Sequence, residues 1–207
     1  MYDIKYLPSE SSYEKSSSDY KTKGDQLYQF EVYVGGTNIR IKDDESAWYY
    51  ERRNSGIYCA TARNEQTIFS DMCCTIIKGY TPPNRTVEIL TTNLPYINGC
   101  STESLLPPIR LGDPTMQLLY MPPHSSEQEE HIHSTSRVVT VLDGNGVSIS
   151  SQGEIPLNKG DVLILDKMVP HHFVTNKEHL LCSPLHVWSS VGAQEQNHPM
   201  FNGTHLT

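Results

Sequence analysis

The stretch "EQEEHIHSTSRVVTVLDGNG", residues 127–146, decides the fold of this chain. It predicts a polar loop, then a β-strand that His131 and His133 enter, then a tight turn at residues 143–146. Side chains alternate along a strand, so the two imidazoles share one face, an arrangement that suits a metal ion. The same parity directs Arg137 to that face, which raises the question of why a metal site would carry a cation.

The remainder of the chain predicts an all-β fold. Short β-like runs separated by Gly, Asn, Asp and Pro follow one another closely, which is typical of a sandwich or barrel. Residues 93–114, rich in Pro and Gly, predict an ordered crossing loop. We divide the chain into a polar arm (1–25), a β-rich segment (26–113), a core barrel (114–192) and a tail (193–207).

Two motifs in the C-terminal half resemble those of the cupin superfamily, the small jelly-roll β-barrels. The first family motif, G-x5-H-x-H-x3,4-E-x6-G, matches at His131, His133 and Gly144, with Ser125 and Arg137 in place of its first Gly and its Glu. The second, G-x5-P-x-G-x2-H-x3-N, matches the stretch "GDVLILDKMVPHHFVTN". It begins at Gly160 and places His171 at the ligand position, with Asp166 and Met168 where Pro and Gly are usual and Asn176 one residue late. The resemblance predicts a cupin jelly roll, preceded by β structure that could be a degenerate second cupin.

The resemblance implies that His131, His133 and His171 bind a divalent metal ion. Fe(II) is favoured, and Zn, Ni or Mn are alternatives; imidazole suits Fe, Ni, Cu and Zn. We choose His171 over His172 because it keeps the family register, with Phe173 inward and His172 outward. A fourth ligand from Glu127, Gln128 or His124 stays open.

Arg137 has two interpretations. A buried guanidinium needs an anionic partner, which is either an internal carboxylate (Glu127, Glu129 or Glu130) or the carboxylate of a substrate. His186 and Trp188 share a face of a late strand, and thiol dioxygenases, which are cupins, carry a histidine followed by an aromatic at a comparable place. His186 is therefore a candidate acid or base, with strand packing as the alternative.

Composition excludes several classes of function. The formal net charge of −8 argues against a nucleic-acid partner, and no apolar run approaches the roughly 18–20 residues of a membrane span. The N-terminus lacks a secretory signal and the five cysteines show no metal or disulfide spacing, so we expect a cytoplasmic protein with free thiols. All nine histidines lie at or after position 124, which places any imidazole chemistry in the C-terminal half.

We therefore predict a metal-binding cupin, first an Fe(II) dioxygenase acting on a small anionic molecule, with Arg137 orienting the substrate carboxylate. A redox-neutral lyase or isomerase and a non-catalytic small-molecule-binding module are the alternatives. We also expect a homodimer, because cupin barrels often pair strands or exchange terminal segments.

Overall fold

The structure is a computed structural model that describes residues 4–9, 29–110, 112–128, 130–133 and 135–187. These residues form sixteen β-strands and a short 3-10 turn, Ile97–Gly99, without an α-helix. The all-β prediction is confirmed. None of the described helical residues forms a span long and apolar enough to cross a membrane. Most of the predicted arm, the predicted tail and Trp188 lie outside the described residues.

The chain divides into two compact units, one from Leu7 to Leu90 and one that joins Thr91 onward to the first six residues. The first described strand, β1 (Ile4–Leu7), belongs to the sheet of the second unit. The strands of the first unit are β2 (Gln29–Val34), β3 (Thr37–Ile41), β4 (Glu45–Arg53), β5 (Gly56–Arg63), β6 (Gln66–Ser70), β7 (Cys73–Lys78) and β8 (Arg85–Glu88).

The first unit is built from antiparallel pairs. A five-stranded sheet has the order β2-β7-β4-β5-β8, and β3 pairs with β6. In β2 the alternation of side chains buries Phe30, Val32 and Val34 and leaves the residues between them at least partly exposed. This unit contains no histidine, so it offers no imidazole to a metal ion. Whether it is a degenerate cupin repeat stays a prediction.

The second unit carries the barrel. Its further strands are β9 (Leu94–Pro95), β10 (Ser101–Leu106), β11 (Thr115–Met121), β12 (Arg137–Ser150), β13 (Gly153–Asn158), β14 (Val162–Leu165), β15 (His171–Val174) and β16 (Leu180–His186). The main sheet has the order β1-β14-β12-β16-β11-β10-β9, while β13 and β15 pair with the far half of β12. One core cluster, which includes Leu119, Val139, Leu163 and Phe173, lies inside these strands.

The long strand β12 corrects one prediction. The tight turn expected at residues 143–146 is wrong, because β12 runs through this stretch to Ser150. Its first half pairs with β14 and β16 and its second half with β13 and β15. The register with β16 shifts between Val141 and Asp143, and Gly144 next to the shift has a φ of 73°. Gly144 suggested a turn, but its left-handed backbone instead allows a bulge within the strand. The two halves of β12 can therefore pair with different neighbours.

The crossing loop predicted at residues 93–114 is also wrong in part. Its central portion forms β10, which pairs with β11 from Ser101 to Leu106 and buries Leu105 and Leu106. The Pro and Gly residues that favoured a loop flank this strand and leave its interior free to pair. The prediction starts the barrel at residue 114, whereas the structure places residues 91–110 in the same unit.

Candidate metal centre

The His131–His133 segment lies just before β12 instead of within it, since β12 begins only at Arg137. His131 and His171 nevertheless form an isolated antiparallel bridge. The His131 N–H donates to the His171 carbonyl at 3.1 Å, and the His171 N–H donates back at 3.0 Å. This reciprocal pair fixes two histidines that are forty residues apart in sequence, and it replaces the strand pairing that we predicted for the motif.

The structure brings His131, His133 and His171 together. One ligand atom from each lies within 4.8 Å of the others, and the Nε2 atoms of His131 and His133 are 3.1 Å apart. Two metal–nitrogen bonds of about 2.1 Å at a right angle would place their nitrogen atoms about 3.0 Å apart. The separation therefore fits adjacent ligands of one ion.

His171 is oriented for ligation by its other ring nitrogen. Its Nδ1 lies 2.7 Å from the Val169 carbonyl, and a carbonyl can only accept, so Nδ1 carries the proton. The lone pair is then on Nε2. A hydrogen bond donated by the other ring nitrogen is the usual support of a metal-binding imidazole. Burial, partly offset by this bond, lowers the pKa of His171 to about 4. The ring is thus neutral near pH 7, as a ligand must be.

His133 is held by the loop that precedes β15. The Met168 N–H donates to the His133 carbonyl at 2.7 Å, and Met168 has a φ of 62°. This is the position where the motif usually has Gly, so the chain keeps the left-handed backbone although the residue has changed. Burial first, then the Arg137 charge, holds the pKa of His133 well below its usual range.

A cavity of about 100 Å³ opens beside the three histidines. Its walls come from β10, β11, β12, β14, β15, β16 and the loops before β10 and β12. The residues that line it are Tyr96, Thr102, Gln117, Leu118, Leu119, Glu127, His131, His133, Arg137, Val139, Leu165, His171, Phe173, Pro184 and His186. All of them belong to the second unit.

Arg137 points into this cavity, as strand parity predicts. It is 6 % exposed, and its Nε and Nη1 atoms have no hydrogen-bond partner in the described protein. Burial lowers the pKa of Arg137 to about 9, while the charges of Glu127 and Tyr96 oppose that shift. The group therefore stays protonated at pH 7. The described residues supply no ion pair to it, which leaves the internal salt-bridge interpretation without a partner among them.

The three candidates for a fourth ligand differ in their exposure and in their contacts. His124 is exposed and lies outside the ligand cluster. Gln128 is buried and accepts a hydrogen bond from the Tyr96 hydroxyl at 2.9 Å. Glu127 is buried and lines the cavity, but its carboxylate is not one of the clustered ligand atoms. Among the described residues the cluster is therefore made of three histidines.

His186 also lines the cavity. It pairs with Arg137 across β12 and β16, and burial, then the Arg137 charge, holds its pKa well below its usual range. His172 pairs with Ile149 on the neighbouring strand and lies outside the cluster. Tyr96 also lines the cavity. No sequence pattern could identify it, because it precedes β10 in the segment that we predicted to be a loop.

The donor set fits a mononuclear divalent metal. Three imidazoles cluster with their ligand atoms within 4.8 Å of one another, one of them in a fixed tautomer, and no described carboxylate joins them. Fe, Ni, Cu and Zn all accept imidazole ligands. Three protein ligands also leave coordination positions open for a substrate.

Comparison with known proteins gives the following. Residues 117–187 match the family model described as "Cupin domain". The putative glyoxylate-induced protein from Pseudomonas aeruginosa has a similar structure, with 11 % identity, a TM-score of 0.58 and coverage of 89 % of this chain and 80 % of that one. An IolB-like protein from Salmonella typhimurium has 12 % identity and a TM-score of 0.55, over 95 % of this chain and 98 % of that one.

A protein of unknown function from Pseudomonas syringae, of the DUF861 family, has 12 % identity and a TM-score of 0.53, over 88 % of this chain and 92 % of that one. No curated protein matches this chain by sequence. At these identities the structural matches establish the fold and leave the reaction to be argued from the site.

Proposed function

We propose that the second unit, in which residues 117–187 match the cupin family model, is a mononuclear metal-dependent enzyme. Its substrate is a small carboxylic acid and its favoured reaction is Fe(II)-dependent dioxygenation. The observation that supports this most strongly is Arg137, a buried guanidinium beside three clustered histidines and without an ion-pair partner among the described residues.

Arg137 has the chemistry to bind the substrate. A buried cation without an anion is costly, and removing that cost favours whatever anion enters the cavity. The planar guanidinium can hold both oxygens of a carboxylate at once, which fixes the orientation of the bound molecule as well as its position. Because Arg137 begins β12 between β14 and β16, its backbone is set by two neighbouring strands.

His131, His133 and His171 would hold the metal ion. When bound, an ion with three neutral ligands keeps its full +2 charge and offers open positions for substrate and O₂ or water. The described ligand cluster is the three-histidine set predicted from the sequence, and such a set suits Fe, Ni, Cu and Zn alike. Fe(II) is the metal that the proposed dioxygenation requires.

The remaining cavity residues exclude water and supply a base. Leu118, Leu165 and Phe173 are buried apolar walls, and a dry site strengthens the contact between Arg137 and a carboxylate. His186 is neutral near pH 7, because its pKa is depressed. It can therefore accept a proton from a substrate that Arg137 holds in place.

The test is anaerobic purification of the full chain followed by elemental analysis. We expect about one iron per chain, and its loss on changing His131, His133 or His171 to Ala, because two imidazoles alone bind the ion poorly. The matched control is His172→Ala, which should retain the metal. Zinc instead of iron would favour a lyase or isomerase, and no metal a non-catalytic binding module. Equal metal loss in His172→Ala would contradict the ligand assignment.

A further inference from the structure

Glu127 is a second buried polar group in the same cavity. It lies in the loop four residues before His131, is 8 % exposed and lines the cavity wall. Its Oε2 accepts the Phe173 N–H at 3.0 Å, and its own N–H donates to the Phe173 carbonyl at 3.1 Å. These two contacts with β15 fix both the backbone and the carboxylate of Glu127.

The second carboxylate oxygen of Glu127, Oε1, differs from Oε2 in its hydrogen bonding. Among the described residues no donor reaches Oε1, although a carboxylate can accept about four hydrogen bonds. Arg137 carries the opposite charge, and the two groups interact electrostatically. Yet they form no ion pair in the described structure, and two Arg137 nitrogens lack partners.

Arg137 and Glu127 share one cavity, and because burial raises the pKa of Glu127 to about 7, its carboxylate is the main form only above neutral pH. A structural pair would gain most from direct bidentate contact, which offsets the cost of burying both groups. Here Phe173 positions Glu127, while β14 and β16 position Arg137. A molecule that places an anion on Arg137 and a donor on Glu127 would satisfy both groups at once.

We propose that the cavity selects hydroxycarboxylic acids, with the carboxylate on Arg137 and the hydroxyl donating to Oε1 of Glu127. This inference rests on the proposed function for the role of Arg137. A hydroxyl suits the site better than an ammonium group, because the cavity already holds the Arg137 cation and would hold a metal ion. The volume of about 100 Å³ corresponds to roughly seven to ten water-sized positions, which limits the acid to a short chain.

Glu127→Gln is the informative variant. Its amide oxygen can still accept the Phe173 N–H, which directs the NH₂ group to the position of Oε1. The cavity then presents a donor where the wild type presents an acceptor, at nearly constant volume. Glu130→Gln is the matched control, because Glu130 lies in the same loop and is exposed.

The experiment is calorimetric titration of the full chain, metal-free and metal-loaded, with three pairs of probes. Each pair compares a hydroxy acid with the acid that lacks the hydroxyl: glycolate with acetate, 3-hydroxypropionate with propionate, and 4-hydroxybutyrate with butyrate. We expect the wild type and Glu130→Gln to prefer at least one hydroxy acid by roughly tenfold or more. Glu127→Gln should weaken that preference, because a neutral amide donor replaces the charged acceptor of the probe's hydroxyl. A preference that is unchanged in Glu127→Gln, or is absent from the wild type, would overturn the proposal.

A comparison of two probes on the wild type keeps the test valid if Glu127→Gln does not fold. 3-Fluoropropionate has nearly the shape of 3-hydroxypropionate but cannot donate a hydrogen bond. Where 3-hydroxypropionate is a preferred probe, equal affinity of the wild type for the two would overturn the Glu127 contact. Propionate against propionamide, measured with the metal-free chain, reports on Arg137. A lost hydroxyl preference with an intact carboxylate preference therefore refutes this inference while leaving the proposed function in place.

Discussion

At the scale of single residues, Arg137 places a cation at the position where the cupin motif usually has a glutamate. Its pKa, lowered to about 9 by burial, is still two units above neutral, so the cavity carries a positive charge at pH 7. That charge also depresses the pKa values of His133 and His186. The guanidinium thus favours the binding of an anion and, together with burial, keeps the imidazoles of His133 and His186 neutral.

His186→Gln tests the role of the fourth cavity histidine. If His186 moves a proton of the bound substrate, turnover should fall by about 10²–10⁴-fold, the usual contribution of a general acid or base. Metal content and the free energy of unfolding should stay close to the wild type, since His186 is outside the ligand cluster. The measurement is O₂ consumption with the preferred acid from the titrations. Activity that merely follows the folded fraction would return His186 to a packing role.

The three clustered histidines and Arg137 could be selected from the sequence because their spacing follows the cupin motifs. Glu127 and Tyr96 could not be selected in the same way. Glu127 was one of several acidic residues in a loop, and only the contacts with Phe173 distinguish it from exposed Glu130. Motif spacing identified His131 and His133 although they precede β12, whereas the burial of a loop residue outside the motifs depends on which distant strand it contacts.

At the scale of elements, the bend in β12 determines how the site is assembled. The first half of the strand carries Arg137 into the main sheet, and the second half pairs with β15, which carries His171. The Asp143–Gly146 stretch looked like a turn because Gly and Asn favour turns. Tertiary pairing on both sides overrides that preference and retains only the left-handed conformation of Gly144.

Gly144→Ala should therefore destabilise the chain strongly. A Cβ on Gly144 would lie 1.9 Å from the His179 carbonyl oxygen, which is backbone and cannot easily move. Together with the positive φ we expect a loss of about 3 kcal/mol or more in the free energy of unfolding, measured with denaturant. Gly112→Ala is the control, since Gly112 has a φ of 90° and open space for a Cβ. It should cost only about 1–2 kcal/mol. Equal losses would show that the contact with His179 is unimportant.

At the scale of the whole molecule, the all-β class and the barrel followed from short strands and the two motifs. The extent of the second unit did not, because residues 91–110 and β1 join it through pairings distant in sequence. Proline and glycine near residues 93–114 indicated where strands must stop, but they could not show that Ser101–Leu106 pairs with β11. Local signals mark the ends of strands better than their partners.

The buried titratable groups predict how the stability of the metal-free chain depends on pH. His133, His171 and His186 have depressed pKa values, so between about pH 5 and 6.5 they bind protons only on unfolding, and stability falls as pH falls. Glu127 acts in the opposite sense, because burial raises its pKa from 4.5 to about 7 and unfolding releases its proton. The three histidines outweigh the one carboxyl, so we expect a net loss of stability on acidification.

Glu127→Gln isolates the carboxyl contribution. Without the proton released by Glu127, the free energy of unfolding should fall more steeply as pH decreases from 6.5 to 5. The slope should be about 1.4 kcal/mol per pH unit greater than that of the wild type, the value for one proton. Denaturant unfolding at a series of pH values gives both slopes, and exposed groups common to the two proteins cancel. Parallel curves would mean that Glu127 is ionised normally in the folded chain.

Arg137 is proposed to bind the carboxylate of the substrate beside the three histidines. Titration of folded, metal-loaded Arg137→Ala and wild type with propionate and with propionamide tests this contact. We expect the preference for the carboxylate to be roughly tenfold or more greater in the wild type than in Arg137→Ala, since hydrogen bonds between charged groups are worth about 1.5–3 kcal/mol. The metal ion attracts a carboxylate in both proteins, so the difference between them measures Arg137. An equal preference in both proteins would mean that Arg137 is structural and does not bind the carboxylate.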